Sequence, residues 1–382
     1  MRTTPFAGVT RLSRPGLLVV ITTVVGAIWT YTTWHQIFPD TQYYILRTEV
    51  LLGMDPHAAE RLVQDYVRSL GVFEPPASLW GWERGVAMYR PRVLLPLLSL
   101  PFVALFGPGG IVVVPGIAYA VYAWATYRLC RLHVAPWPAA VVVAVAVSSV
   151  QVRIWGLGGL TDSLATASLA LLLLALPWRG PAGRSRLVAI GVLAAVAGLT
   201  RVMAPFTVAA VAALWVWSRR RGDAATRRSW TWALVVDVAG SLVGVVFTAV
   251  VSGLSISENL FSQTQTHTWP ELLRALATQV PHIVGQEAAT VLGDAPLLLL
   301  WVLALLGVVL DRTRLAAWLV AGALVAMVSI IVLNPAFTEF RYPMPAMPML
   351  ALAAARGVVE LWDRRPRRTA EPVAQTAEPL PR

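Results

Sequence analysis

Asp40, Asp162, Arg201, Glu339 and Arg341 each sit where an apolar run gives way to a short polar segment. A carboxylate so placed can take a proton from a hydroxyl as general base. A guanidinium can hold a phosphate through paired N–H donors. With their segments on one face, the five groups can converge on a cavity and act on an anionic lipid at the membrane surface. Each also has a plainer alternative. Asp40 could cap a helix, and Asp162 after Thr161 fits an N-terminal capping pattern. Arg201 could bond exposed carbonyls in a turn, and Arg341 beside Tyr342 could anchor the chain at an interface. Arg90 and Arg92 read as headgroup contacts or as phosphate ligands, and Glu339 reads as a partner that fixes Arg341.

The elements that must position these groups are helices in a membrane. Of 382 residues 57% are hydrophobic and only 13% charged, with mean hydropathy +0.64. A soluble fold carries about 25% charged residues. Apolar runs recur at 15–37, 110–128, 136–155, 162–178, 187–200, 202–217, 230–252, 295–310, 315–333 and 344–361. Such runs approach the length that crosses a ~30 Å hydrocarbon core. They predict an all-α polytopic membrane protein of about ten spans. Residues 92–106 form an eleventh apolar stretch, broken by Pro96 and Pro101, and read as a re-entrant or interfacial helix. The first run is too long for a signal-peptide core and lacks a small-residue cleavage site, so it is expected to be retained. The expected organisation is one membrane domain, 1–361, with long outer loops at 38–107 and 253–294. A disordered tail, 362–382, follows. In the first loop, PDTQYYILRTEVLLG and PHAAERLVQDYVRSLG read as two short amphipathic helices lying on the membrane.

The net charge is +11, and all 31 basic residues are arginine. They lie in short clusters between apolar runs rather than on one face, which excludes a nucleic-acid partner. With 92–106 not crossing, Arg2, Arg11, Arg14, Arg128, Arg131, the cluster 219–221 and the tail arginines fall on one side. The positive-inside rule makes that side cytoplasmic, with both termini, and puts the five candidate groups on the outer face. Trp34, Trp137, Trp155, Trp178, Trp217, Trp230 and Trp362 fall near proposed span ends, where indole rings are favoured. The single cysteine, Cys130, excludes an intramolecular disulfide. His267, Glu271, His282 and Glu287 lack metal-ligand spacing and are expected to decorate an interfacial helix. Asp237 lies inside a run and is expected to form a helix–helix hydrogen bond or to be protonated. GVLAAVAG reads as a helix-packing surface. The use of Arg over Lys, with abundant Ala, Val and Gly, fits a GC-rich bacterium and hence a bacterial plasma membrane.

A series of short motifs runs through nearly the whole chain. These are FPDTQYY at Asp40, Gly53, YRPRVLLPLL from Arg90, a stretch ending at Phe106–Gly107, Thr161–Asp162, GLTR ending at Arg201 with Pro205, and EFRYPMPAMP from Glu339. In this order they resemble the C-type (GT-C) superfamily of integral-membrane glycosyltransferases. That group includes protein O-mannosyltransferases, the lipid A aminoarabinose transferase and actinobacterial mannosyl- and arabinosyltransferases. Two departures stand out: Thr41, not a second acid, follows Asp40, and no soluble C-terminal domain follows the last span.

The resemblance implies a polyprenyl-phosphate monosaccharide as donor, with mannose or arabinose favoured, and an acceptor hydroxyl on a cell-envelope glycan, lipid or protein. Asp40 would be the base, and Asp162 would orient the acceptor or a metal-bound water. Arg341 and Arg201, with Arg90 and Arg92, would bind the donor phosphate. Glu339, Tyr342, Tyr43 and Tyr44 would support them, and a groove beside 92–106 would house the prenyl chain. No cofactor is required, while Mg or Mn is allowed. Two other classes stand beside this reading: a lipid or small-molecule transporter or flippase, and an inactive relative serving as an assembly partner.

Overall fold

A computed structural model describes residues 13–81, 88–220, 223–253 and 255–364. The expectations for Arg2, Arg11, Arg221 and the tail beyond 364 lie outside the described residues. Within them the chain is all helical, with sixteen α-helices, two 3-10 turns and no strand.

The helices start and stop where their ends can be satisfied. α1 (Arg14–Thr33) opens with Ser13 accepting from the Gly16 amide and with Pro15 in the first turn. α2 (Thr41–Leu51) follows Asp40. α3 (Pro56–Leu70) is capped by Asp55 and closed by left-handed Gly71. α4 (Leu94–Phe106) contains Pro101, and a 3-10 turn, Pro108–Val112, leads into α5 (Val113–Arg131). α6 (Pro136–Ser148), α7 (Val150–Leu157), α8 (Asp162–Ala175), α9 (Arg184–Thr200) and α10 (Ala204–Arg219) follow. Next come α11 (Ala224–Ser252), α12 (Ile256–Thr264), α13 (Trp269–Gly293), α14 (Ala295–Leu310), α15 (Leu315–Leu333) and α16 (Met347–Asp363).

A helix or bent helix pair occupies each of the ten predicted runs. Five helical segments, 14–33, 108–131, 224–252, 315–333 and 344–363, are long and apolar enough to cross a membrane, and up to seven if each bent pair is one span. These are features of a multi-pass membrane protein. The count falls short of ten because several helices are short: α8 has 14 residues and α10 has 16, about 21 and 24 Å at 1.5 Å per residue. α4, with 13 residues, reaches only about 20 Å.

The bent pairs are α6–α7, at 71°, and α13–α14, at 106°. One side chain serves both bends. Asp294 caps α14 through the Leu297 amide and also accepts from Ser149 Oγ, at 2.8 Å, and the Gln151 amide, at 3.0 Å.

The main core joins α1 to α6, α5 to α8, and α9 through α10 and α11 to α14–α16. GVLAAVAG packs as expected: Gly198 meets Gly244 of α11 so closely that a Cβ there would lie 2.7 Å from its Cα. A second core, around α2, α3 and α4, caps one end. There α3 has the expected amphipathic face, but α2 does not. Thr41 through Leu46, Thr48 and Glu49 are all buried, so α2 runs through the cap rather than lying on the surface. Trp230 is likewise buried, in a cluster with Trp178, Trp217 and His133, whereas Trp34 and Trp137 are exposed as interfacial rings should be.

Candidate functional site

Two glycines bring the first acidic pair together. Beyond α1 the chain runs extended to Asp40, and the segment 158–161 lies against it, the Gly159 amide donating to the Gln36 carbonyl at 2.8 Å. A Cβ on Gly158 would stand 2.5 Å from the Phe38 ring, and one on Gly159 would stand 2.5 Å from Thr41 Cγ2. A larger residue at either position would force the Phe38 ring or Thr41 to shift, next to the segment that leads into Asp162, the first residue of α8.

Asp40 and Asp162 meet across Arg341. The Arg341 guanidinium donates to Asp40 Oδ2 at 2.7 Å and to Asp162 Oδ2 at 3.2 Å. The other Asp162 oxygen accepts from Arg201, the residue that ends α9. Asp162 is fully buried with both oxygens engaged, whereas the Asp40 side chain keeps 23% of its exposure. Arg201 also lies over the Tyr342 ring, 4.7 Å from its centroid, and Arg341 over Trp155 at 5.5 Å.

A tyrosine wall adds a third arginine. The Tyr89 hydroxyl donates to Asp40. Its ring stacks on Tyr43 at 4.8 Å and meets Tyr44 edge-on. Arg92 donates to Tyr44 Oη at 3.0 Å and covers the Tyr89 ring. Arg47 of α2 fixes this segment by donating to the carbonyls of Tyr89 and Arg90. Burial acts to raise the Asp40 pKa, but Arg341, Arg92 and the hydrogen bonds outweigh it and hold the carboxyl below the ordinary range. Burial and the negative charge of Asp40 push the Tyr43 phenol up to about 12.

Among the described residues the cluster sets two carboxylates against three guanidiniums, leaving one positive charge in excess. Arg92 and Arg201 line an adjoining cavity of about 130 Å³. Its other walls come from the ends of α9, α11 and α15 and from α12, with Gly198, Thr248, Asn259 and Asn334 among them.

Arg341 is aimed by an unusual turn. Glu339 and Phe340 both have left-handed backbone, φ 51° and 68°, a conformation costly for residues with a Cβ. Glu287 of α13 holds it, accepting from the Thr338 amide and hydroxyl, at 2.9 and 3.1 Å, and from the Phe340 amide. Trp155 Nε1 donates to the Glu339 carbonyl at 2.8 Å.

Asp40, Asp162, Arg201, Arg341, Arg92, Tyr342, Tyr43 and Tyr44 thus gather in one place. Two candidates do not join them. Arg90 is exposed and enters only through its carbonyl. Glu339 is exposed and does not pair with Arg341, whose guanidinium is taken by the two aspartates. Tyr89, Trp155, Glu287 and the Gly158–Gly159 pair enter from outside the candidate set. Glu271 completes a capping box with Thr268, while Glu287 is a buried anchor rather than surface decoration. Asp237 is buried in α11 with neither oxygen hydrogen-bonded among the described residues, so the expected helix–helix hydrogen bond is not made.

Among the described residues no group of three or more His, Cys, Asp or Glu side chains could hold a metal. Guanidinium N–H groups lie on both Asp162 oxygens and on Asp40 Oδ2. No protein-family model matches the chain, and no curated protein matches it.

Proposed function

We propose that the protein is a membrane glycosyltransferase of the GT-C kind, moving a monosaccharide from a polyprenyl-phosphate donor to an acceptor hydroxyl at the outer membrane face. Mannose and arabinose are the favoured sugars. One observation carries the reading: a partly open carboxylate, Asp40, belongs to the same Asp–Arg cluster as Arg92 and Arg201, the two arginines that line a cavity.

In this reaction the acceptor oxygen attacks the anomeric carbon as the bond from that carbon to the phosphate oxygen breaks, inverting the centre. Asp40 takes the acceptor proton. Its lowered pKa keeps it ionised across the neutral range, so it meets the acceptor hydroxyl unprotonated. The leaving polyprenyl phosphate carries charge toward Arg92 and Arg201, where guanidinium donors are already oriented. Asp162 acts through Arg201 and Arg341 as a positioning residue. The prenyl chain lies in the apolar part of the cavity wall and beside α4. The ten-crossing arrangement, with both termini inside a bacterial plasma membrane, belongs to this proposal.

Purified protein in nanodiscs is offered a panel of radiolabelled polyprenyl-phosphate sugars, and release of polyprenyl phosphate is followed beside Asp40→Asn. Release that vanishes in the variant supports the reading. Release equal in both removes Asp40 as base, and failure to bind any donor transfers the weight to the transporter reading. Orientation has its own test. Glu60→Cys and Gly222→Cys should label from opposite sides of sealed vesicles, and labelling from the same side would overturn it.

A further inference from the structure

A second cavity lies away from the Asp–Arg cluster. It lies at the other end of α1, about 30 Å away along a 20-residue helix. Its volume is 520 Å³, and it runs between the first half of α1 and the last half of α5. Val20, Val24 and Trp124 form its lipid-facing wall, exposed at 45%, 50% and 44%. Arg128, Arg131 and Arg179 stand at its mouth. The lining contains no Asp or Glu, and among the described residues none of the three arginines makes an ion pair. Arg128 lies 5.7 Å from the Trp124 ring centroid, which turns its guanidinium along the groove wall.

We infer that this groove binds one anionic phospholipid of the surrounding membrane, its phosphate on Arg128, Arg131 and Arg179 and an acyl chain between α1 and α5. Three unpaired guanidiniums at the end of an apolar groove form a local positive field that only an anion neutralises. Free phosphate would satisfy the mouth and leave the apolar length empty. A zwitterionic lipid would fill the length while bringing a cation toward three cations. An anionic lipid meets both halves. From Gly16 to Val24 the α1 wall is about 12 Å long, enough for the upper part of an acyl chain. The site touches neither the Asp–Arg cluster nor its cavity, so it stands or falls independently of the proposed reaction.

The test is native mass spectrometry of the full chain released from nanodiscs of equal phosphatidylglycerol and phosphatidylcholine. Wild type should retain phosphatidylglycerol preferentially. Arg128→Gln/Arg131→Gln/Arg179→Gln should lower that retention about tenfold or more. Ala120→Trp, which fills the groove and leaves all three charges, should lower it as well, so the inference stays testable if the triple variant folds poorly. Arg312→Gln/Arg314→Gln, at another basic turn, should leave it unchanged. Equal retention of the two lipids by wild type would overturn the inference. So would unaltered retention in both groove variants, or displacement of the lipid by millimolar inorganic phosphate.

Discussion

Two buried ion-pair clusters in this molecule use the same chemistry to different ends. One is Asp40, Asp162, Arg92, Arg201 and Arg341. The other is Asp311, Arg356 and Glu360, where Arg356 donates to Asp311 at 2.9 Å and to Glu360 at 3.2 Å. In the second, Asp311 also accepts from the Thr313 amide and hydroxyl and from the Ala316 amide, so that it ties the turn after α14 to the start of α15. These hydrogen bonds, led by the one from Arg356, override burial and hold its carboxyl below the ordinary range. There two carboxylates share one guanidinium, and the Asp311 side chain is fully buried. In the first cluster the cations outnumber the anions, one carboxylate is partly open, and two arginines face a cavity. Burial and pairing are common to both. The sign of the surplus charge and the partial opening at Asp40 are what separate a candidate site from a brace.

The comparison breaks most sharply at Asp40. Asp40→Asn should cut sugar transfer by about 10²–10⁴-fold with donor binding kept. Asp311→Asn should leave transfer per folded molecule unchanged, and a matching loss there would erase the distinction. Next in size, Asp162→Asn removes the negative charge that Arg201 and Arg341 share and replaces one acceptor oxygen with an NH₂ donor. It should cost about 3–5 kcal/mol of stability, read by thermal denaturation in nanodiscs, with activity lost beyond that expected from the folded fraction. Arg92→Ala removes the surplus charge and should raise the donor KM about tenfold, whereas Arg356→Ala should lower the melting temperature without changing KM.

The smallest effect is on pH. His133 lies in the turn between α5 and α6, edge-on to Trp178 at 4.6 Å. Burial, reinforced by Arg356 and Arg179 and opposed by Asp311, pushes its imidazole down to about 4. An unfolded histidine titrates near 6.5, so between roughly 6.5 and 4 the folded chain binds fewer protons than the unfolded one. Its stability therefore falls as pH drops through that window. His133→Gln should remove that decline, gaining a few degrees over wild type at pH 4.5 compared with pH 8. Asp40 behaves in the same sense at lower pH. Its contribution is complete above the unfolded carboxylate value near 3.9 and is lost as pH falls through its lower folded value.

Much of this was legible in the sequence, for identifiable reasons. Asp40, Asp162, Arg201 and Arg341 announce themselves because charge is rare here and each breaks an apolar run. The helical class and the packing run GVLAAVAG follow from periodicity and residue size. Glu287 was hidden because its partners lie some fifty residues away and its own helix has an ordinary surface pattern. Tyr89 sits in a segment with no repeating apolar pattern, and Gly158–Gly159 looks like any turn until Phe38 and Thr41 are placed against it. The burial of α2 was missed because half its side chains are polar, and only the cap formed by α3 and α4 gives them an interior to enter. The span count strained because apolar composition runs past helix ends, while hydrogen bonding sets their actual lengths.

The left-handed pair Glu339–Phe340 has a consequence for how mutations at this site will read out. Left to itself that turn would relax, carrying Arg341 off both aspartates. Three hydrogen bonds to Glu287 keep it wound. The direction of the arginine is thus encoded remotely, in a carboxylate that meets neither the cavity nor the other charges. Glu287→Gln would act as a misdirection rather than a deletion: every charge of the Asp–Arg cluster still present, and its central one pointing elsewhere.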